Sequence, residues 1–236
     1  MKKHIKRMAA PDTWAIPRKT SHWVTKPRPG PHGIAESMPL LSVVRDMLKL
    51  CDNSREARFI IGSRGILVDG VVVTDYKYPV GLMDVVSVLK TKQDFRMLVN
   101  YKAKMALVPI EESEKGWKLS RVDNKTTAKK GKVQLNLHDG RCILVPKDQH
   151  KTGDVLKIEL PSQKILKSFK LEKGNLALVT GGSHPGTVQT IESYKIGRGS
   201  SSNIVTFKEG FSTVKENVFV VGDKAPEIKL LEAKAV

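Results

Sequence analysis

Cysteine is almost missing from this chain: its 236 residues hold two, Cys51 and Cys142. They form no Cys-x-x-Cys pair, which excludes a zinc ribbon and a disulfide framework. Cys51 follows an apolar stripe and Cys142 lies in an apolar run, so both are expected as buried thiols. Aromatic residues make up only 6% of the chain, so its cores must be aliphatic and individually small. No apolar run approaches the ~18 residues that a membrane-crossing helix needs. The basic N-terminus lacks the apolar centre of a secretory signal. A cytoplasmic protein without membrane contact is therefore expected. Acidic residues are also scarce, with 24 Asp+Glu against 41 Lys+Arg, a formal net charge of +17. Such an excess repels itself in a compact fold unless a polyanion neutralises it. Nucleic acid fits best, because Lys and Arg on phosphates release counterions. An anionic membrane surface is the runner-up, and a merely soluble basic protein is the bland alternative.

Catalytic constellations are missing too. His4, His22 and His32 lie in the N-terminal stretch, while His138, His150 and His184 fall in predicted turns. None has a metal-ligand spacing. Gly197–Ser202 is neither a P-loop nor a dinucleotide fingerprint. No nucleophile–base arrangement converges. The expectation is no enzyme, no metal and no cofactor.

What is present begins with a basic arm, residues 1–38. Lys2, Lys3, Lys6, Arg7, Arg18, Lys19, Lys26 and Arg28 face only Asp12 and Glu36. Pro11, Pro17, Pro27, Pro29 and Pro31 remove backbone donors and fix φ, so the arm should be extended and unable to fold alone. Trp14 and Trp23 sit among its cations. Two uses fit them equally: stacking on exposed bases, or packing on the body of the protein.

Residues 39–94 change register. Leu40, Leu41, Val44, Met47, Leu48 and Cys51 follow the spacing of one buried helix face, with Arg45 and Lys49 on the opposite face. Ser54 is expected to cap a second helix. In that helix Ala57, Ile60 and Ile61 face inward while Arg55 and Arg58 face outward, and Arg64 lies in the following loop. Ile66–Val73 forms two β-rich runs across Asp69-Gly70, a hairpin signal. The helix, Ser54-Arg55, Ala57-Arg58 and the Asp69-Gly70 turn together resemble the S-four-type RNA-binding domain. The resemblance implies an RNA-binding face made of Arg45, Lys49, Arg55 and Arg58; Ser54 of the motif and Arg64 of the adjoining loop are added as candidate contacts. On charge and aromatic character the arm contributes further candidate RNA contacts: the cations Lys2, Lys3, Lys6, Arg7, Arg18, Lys19, Lys26 and Arg28, with Trp14 and Trp23.

The remainder is β-rich. Short strands with turns over 95–170 suggest a small barrel or sandwich. Glu172–Val188 resembles the KOW motif of SH3-like barrels, with a loop of Gly181, Gly182, His184 and Gly186. It departs from that motif at His184-Pro185, where a Lys-containing pair is common. A last domain is expected over 171–222 and a loose tail over 223–236. The predicted fold class is α+β and multidomain: a small S-four-like domain, then β-rich barrel-like domains, the last of them SH3-like.

Taken in order, the arm with its Pro29-Gly30-Pro31-His32, the S-four-like domain, the β-rich middle and the KOW element resemble one family. It is the archaeal and eukaryotic small-subunit ribosomal protein S four-e. The short C-terminus favours the archaeal branch. Membership implies a ribosome-bound structural protein whose partners are small-subunit ribosomal RNA and neighbouring ribosomal proteins, and no homo-oligomer. The alternative is a free regulatory or elongation-type RNA binder using the KOW element.

Overall fold

The alternation of short β-rich runs with glycine turns produces a chain in which strands far outnumber helices. The computed structural model describes residues 4–128, 131–197 and 202–231. Lys2, Lys3 and residues 198–201 of the serine-rich loop lie outside them. The chain forms two units, residues 1–98 with 104–118, and residues 99–103 with 119–236.

The first unit opens with an antiparallel ribbon, β1 (His4–Lys6) against β2 (Trp23–Thr25). β3 (Ser37–Pro39) leads into α1 (Leu40–Ser42), which continues as a π-helical turn, Val43–Met47; α2 (Ser54–Gly62) follows. Next come β4 (Ile66–Val68), β5 (Val71–Val72), β6 (Pro79–Gly81), β7 (Val85–Val88), β8 (Gln93–Val99) and β9 (Met105–Ile110), then α3 (Glu112–Lys115). β6 pairs with β3, and the other five strands form a sheet in the order β5-β4-β7-β8-β9. The predicted hairpin is present: Val68 pairs with Val71 across Asp69 at φ 52° and Gly70 at φ 76°. Two positive φ values are what a type I′ turn requires.

Two local expectations change. The helix over 39–50 loses its α-register, because the Leu48 amide bonds back to the Val43 carbonyl at 2.9 Å, and Lys49 turns left-handed at φ 54°. Arg45 and Lys49 therefore do not share a helical face. Leu40, Leu41, Val43 and Val44 are buried, whereas Met47, Leu48 and Cys51 are only half-buried. The arm is also no free leader. Ala10, Trp14, Ile16 and Val24 join Met38, Leu40, Val44, Ile61, Ile66 and Val86 in one core. The Met105 amide bonds the Thr13 carbonyl at 2.8 Å. The arm buries too little to fold alone, but docking lends it the apolar surface of the helices and sheet. Full burial of an indole is worth roughly 3–5 kcal/mol by truncation to Ala, enough to hold such a segment down.

β10 (Trp117–Thr127) belongs to the second unit from Leu119 onward, and there it pairs with β11 (Val133–Leu137), β12 (Cys142–Val145), β13 (Val155–Glu159) and β14 (Ile165–Phe169) in the order β12-β11-β10-β13-β14. Val122, Leu135, Leu137, Leu156 and Ile158 fill its core. Cys142 is exposed, against the expectation of a buried thiol. It sits on an edge strand, where the alternation turns Cys142 and Leu144 outward and buries Val145. A second sheet has the order β18-β17-β16-β15-β19, from β15 (Leu176–Val179), β16 (Val188–Lys195), β17 (Ile204–Phe207), β18 (Ser212–Val214) and β19 (Val218–Gly222). Beyond it, Ile228 is buried and Glu227 accepts from Lys157 at 2.8 Å and Lys167 at 3.1 Å.

Candidate nucleic-acid interface

Helix α2 carries the basic face, and its start is set one residue earlier than expected. Asn53, not Ser54, is the N-cap: its side-chain oxygen accepts from the amides of Arg55 at 2.9 Å and Glu56 at 3.0 Å. Glu56 reaches back to accept from the Asn53 side-chain amide and the Asp52 backbone, a reciprocal arrangement like a capping box. Sequence reasoning favoured Ser54 because either residue type caps well. Its hydroxyl is used otherwise, accepting from Arg45 Nη1 at 2.7 Å.

The nine-residue helix buries Ala57 and Ile61 and turns Arg55 and Arg58 to solvent, as the periodicity predicts. Lys49 and Arg64 are also exposed, both at positive φ. Arg45 behaves differently. Its guanidinium is half-buried and forks onto both Asp46 oxygens at 2.8 and 2.9 Å. The Asp46 hydrogen bond is the largest influence on it and raises its pKa. Arg45 holds the π-turn to α2 and has little fork left for a phosphate.

The basic face continues through residues that carry no sequence signal. The Arg58 guanidinium lies 4.6 Å from the centroid of the Tyr76 ring, and Lys77 Nζ lies 5.4 Å from the same centroid. The Lys77 carbonyl accepts from the Arg28 amide at 2.9 Å, and the Arg28 guanidinium bonds Asp75 at 2.9 Å. Lys77, Lys26 and Arg28 then border a hollow of about 720 Å³ floored by Pro27, Pro29 and Pro31. One cationic track thus runs from α2 over Tyr76 to the arm. Tyr76 and Lys77 went unnoticed because no periodic pattern surrounds them.

Within the arm the predicted contacts divide. Lys6, Lys19 and Arg28 are exposed and Lys26 is half-buried. Arg7 is buried, its guanidinium donating to the Pro17 carbonyl and the Ser21 hydroxyl. Arg18 staples the segment to itself through the carbonyls of Met8, Ala10 and Pro11 and the Asp12 carboxylate. Trp14 has no exposed surface and donates to the Ile34 carbonyl at 3.3 Å, so it offers no face to a base. Trp23 is half exposed, with His4 and His22 edge-on to it at 4.6 Å each. Of the two uses weighed for the indoles, Trp14 packs on the body and Trp23 stays available for stacking.

In the second unit, the loop between β15 and β16 exposes Gly182 and His184. The His184 ring lies 4.6 Å from that of Phe211. Gly181 faces the Asn217 side chain. Gly186 has φ 74°, and a Cβ there would stand 2.6 Å from the Asn100 carbonyl carbon. The glycine is required there structurally, for a close backbone approach that a Cβ would block.

The first unit also holds a buried ionic cluster that no sequence pattern announces. Lys118 Nζ sits 2.6 Å from Asp69 Oδ2 and 2.9 Å from Asp84 Oδ1. His32 Nε2 is 3.0 Å from Asp84 Oδ2. Asp69 Oδ1 accepts from the Val85 amide and Asp84 Oδ2 from the Gly81 amide. Burial alone would raise the Asp84 carboxyl, but His32 and Lys118 outweigh it and hold it well below the usual carboxylate range. Arg96 is buried as well, donating to the Glu114 and Trp117 carbonyls at 3.0 and 2.9 Å; burial lowers it to about 10. Arg7, Arg96 and Lys118 therefore belong to the interior, and part of the cationic excess never meets a ligand. Among the described residues no group of three or more His, Cys, Asp or Glu could hold a metal ion.

Three family models match: the RS4NT (NUC023) domain over residues 1–35, the S4 domain over 38–86, and Ribosomal family S4e over 91–165. A "Small ribosomal subunit protein eS4" of Methanothermobacter thermautotrophicus is 46% identical over 233 residues, covering 97% of this chain and 96% of that one. The protein of the same name from Archaeoglobus fulgidus is 47% identical over 224 residues, 94% of each chain. A crystal structure of the 30S ribosomal protein S4e from Thermoplasma acidophilum superposes with a TM-score of 0.72 at 37% identity, over 80% of this chain and 96% of that one.

Proposed function

The chain belongs to the S4e family of small ribosomal subunit proteins, and we propose that it is a structural, non-enzymatic constituent of that subunit, holding ribosomal RNA on the outward face of α2 and the cationic track beside it. It works in the cytoplasm, bound to the ribosome. The observation that carries the reading is the division of labour among its arginines. Arg55 and Arg58 face solvent on a rigid helix, while Arg45, Arg7 and Arg96 are spent on internal partners. Guanidinium forks held at fixed spacing suit phosphate contacts. Backbone and shape contacts of this kind give steep salt dependence and modest base specificity.

Lys49, Arg64, Lys6, Lys19, Lys26, Arg28 and Trp23 extend the surface. Lys2 and Lys3 are proposed on charge alone. Ser54 contributes by positioning Arg45. In the second unit we read the β15–β19 sheet as the SH3-like domain and its Gly181–Gly186 loop as the KOW element, with Gly182 and His184 at its tip; neighbouring subunit proteins are the natural second partners.

The test replaces Arg55 and Arg58 together by Ala and measures affinity for small-subunit rRNA over a salt series. Loss of two phosphate contacts should weaken binding and flatten the log–log salt slope by about 1.5, with an unchanged circular dichroism spectrum. An unmoved affinity and slope would remove α2 from the interface.

A further inference from the structure

One residue on α2 breaks the helix's amphipathic pattern. Phe59 stands on the solvent side with 75% of its surface exposed, one helical turn beyond Arg55 and next to Arg58. A single exposed apolar side chain is ordinary on any surface. Here, however, it forms one wall of a hollow of about 550 Å³. Leu50, Cys51 and Ile60 supply the apolar floor, and Asn53, Arg55 and Glu56 the polar rim.

We propose that Phe59 is a stacking platform for one unpaired base of the bound RNA, with the hollow receiving the base and Arg55 and Arg58 taking the flanking phosphates. The proposal rests on the reading of α2 as an RNA face and gives that face a means of holding a single-stranded nucleotide. A phosphate gains nothing from a phenyl ring and is repelled by the Glu56 carboxylate at the rim. A base gains from both, since its flat face stacks on the ring and its edge N–H groups meet an acceptor-only carboxylate. Arg55, one helical turn before Phe59, is the helix neighbour placed to take a phosphate next to the stacked base. The Arg58 guanidinium lies over Tyr76.

The experiment uses the full chain and a small-subunit rRNA transcript, with Phe59→Leu, Phe59→Tyr and the Arg55/Arg58 double alanine variant measured in parallel over a salt series. Base–aromatic stacking predicts that Phe59→Leu weakens binding about five- to a hundredfold, with an unchanged salt slope, while Phe59→Tyr stays close to the parent. Phe59 is exposed, so all variants should fold, which circular dichroism and tryptophan emission verify. Equal binding by Phe59→Leu and the parent overturns the stacking role; if the arginine variant is weakened in the same series, the α2 surface survives without it. Equal weakening by Leu and Tyr also overturns it, because a stacking site tolerates the second ring. Full RNA binding by Phe59→Leu with poor incorporation into subunits overturns it in favour of a protein neighbour. If neither Phe59→Leu nor the arginine pair moves affinity, both readings fall together.

Discussion

Replacing Lys118 by Met puts the buried ionic cluster under direct stress. The ammonium is 1% exposed and is the contact shared by Asp69 and Asp84. Methionine keeps the length and most of the volume but leaves two carboxylates with less compensation. Asp69 retains the Val85 amide, and Asp84 retains the Gly81 amide and His32. Breaking a buried ion pair by removing one partner costs about 3–5 kcal/mol, a large share of the stability of a small unit. The pH dependence follows from Asp84. In the parent its carboxyl is held below the ordinary value of 3.8, so its contribution is complete above that value and is lost as the pH falls through the lower folded value. Without Lys118 the same carboxyl loses one of the cations that offset its burial and moves up from that depressed value, so protonation relieves the variant before the parent. The gap between parent and variant should therefore narrow in acid, as the pH falls through and below the ordinary value of 3.8. The assay is urea unfolding followed by tryptophan emission. All three tryptophans, Trp14, Trp23 and Trp117, belong to the first unit, so the signal reports that unit alone. A loss under about 1 kcal/mol at pH 7, or a gap that does not shrink in acid, would refute the reasoning.

Two further outcomes are expected. Deleting residues 2–33 removes Trp14, Ile16, Val24 and His32 from the first unit's core and ionic cluster, so the remaining Trp117 emission should lose its cooperative urea transition; a sharp transition would show that the arm is dispensable for folding. Gly186→Ala combines a φ of 74° with a Cβ 2.6 Å from the Asn100 backbone, and should destabilise the second unit by about 1–3 kcal/mol. Circular dichroism melting should fall while the tryptophan transition stays in place.

The outward pair Arg55 and Arg58, the Asp69-Gly70 hairpin and the many short strands were legible because each rests on local periodicity or turn chemistry. What escaped was decided by distance or by degeneracy. Asn53 and Ser54 are equally good caps by composition, and only the reach of the Asn53 oxygen to two amides separates them. The π-turn over Val43–Met47 inserts a residue that a 3.6-residue period cannot announce. Trp14 reads as an RNA ligand or as core with equal ease until its partners 20 and more residues away are known. Asp69 looks like a turn residue and nothing more, since its ammonium partner lies 49 positions further along. Cys142 was misplaced because an apolar run on an edge strand shows one face to solvent.

The His32–Asp84–Lys118 contact also has a consequence for the order of synthesis. The chain is made from its N-terminus, yet the lysine that completes this cluster, and the Met105 amide that donates to the Thr13 carbonyl, are translated well after the leading segment. A growing polypeptide therefore completes the docking of its cationic front end only once the strands bearing Met105 and Lys118 have been made.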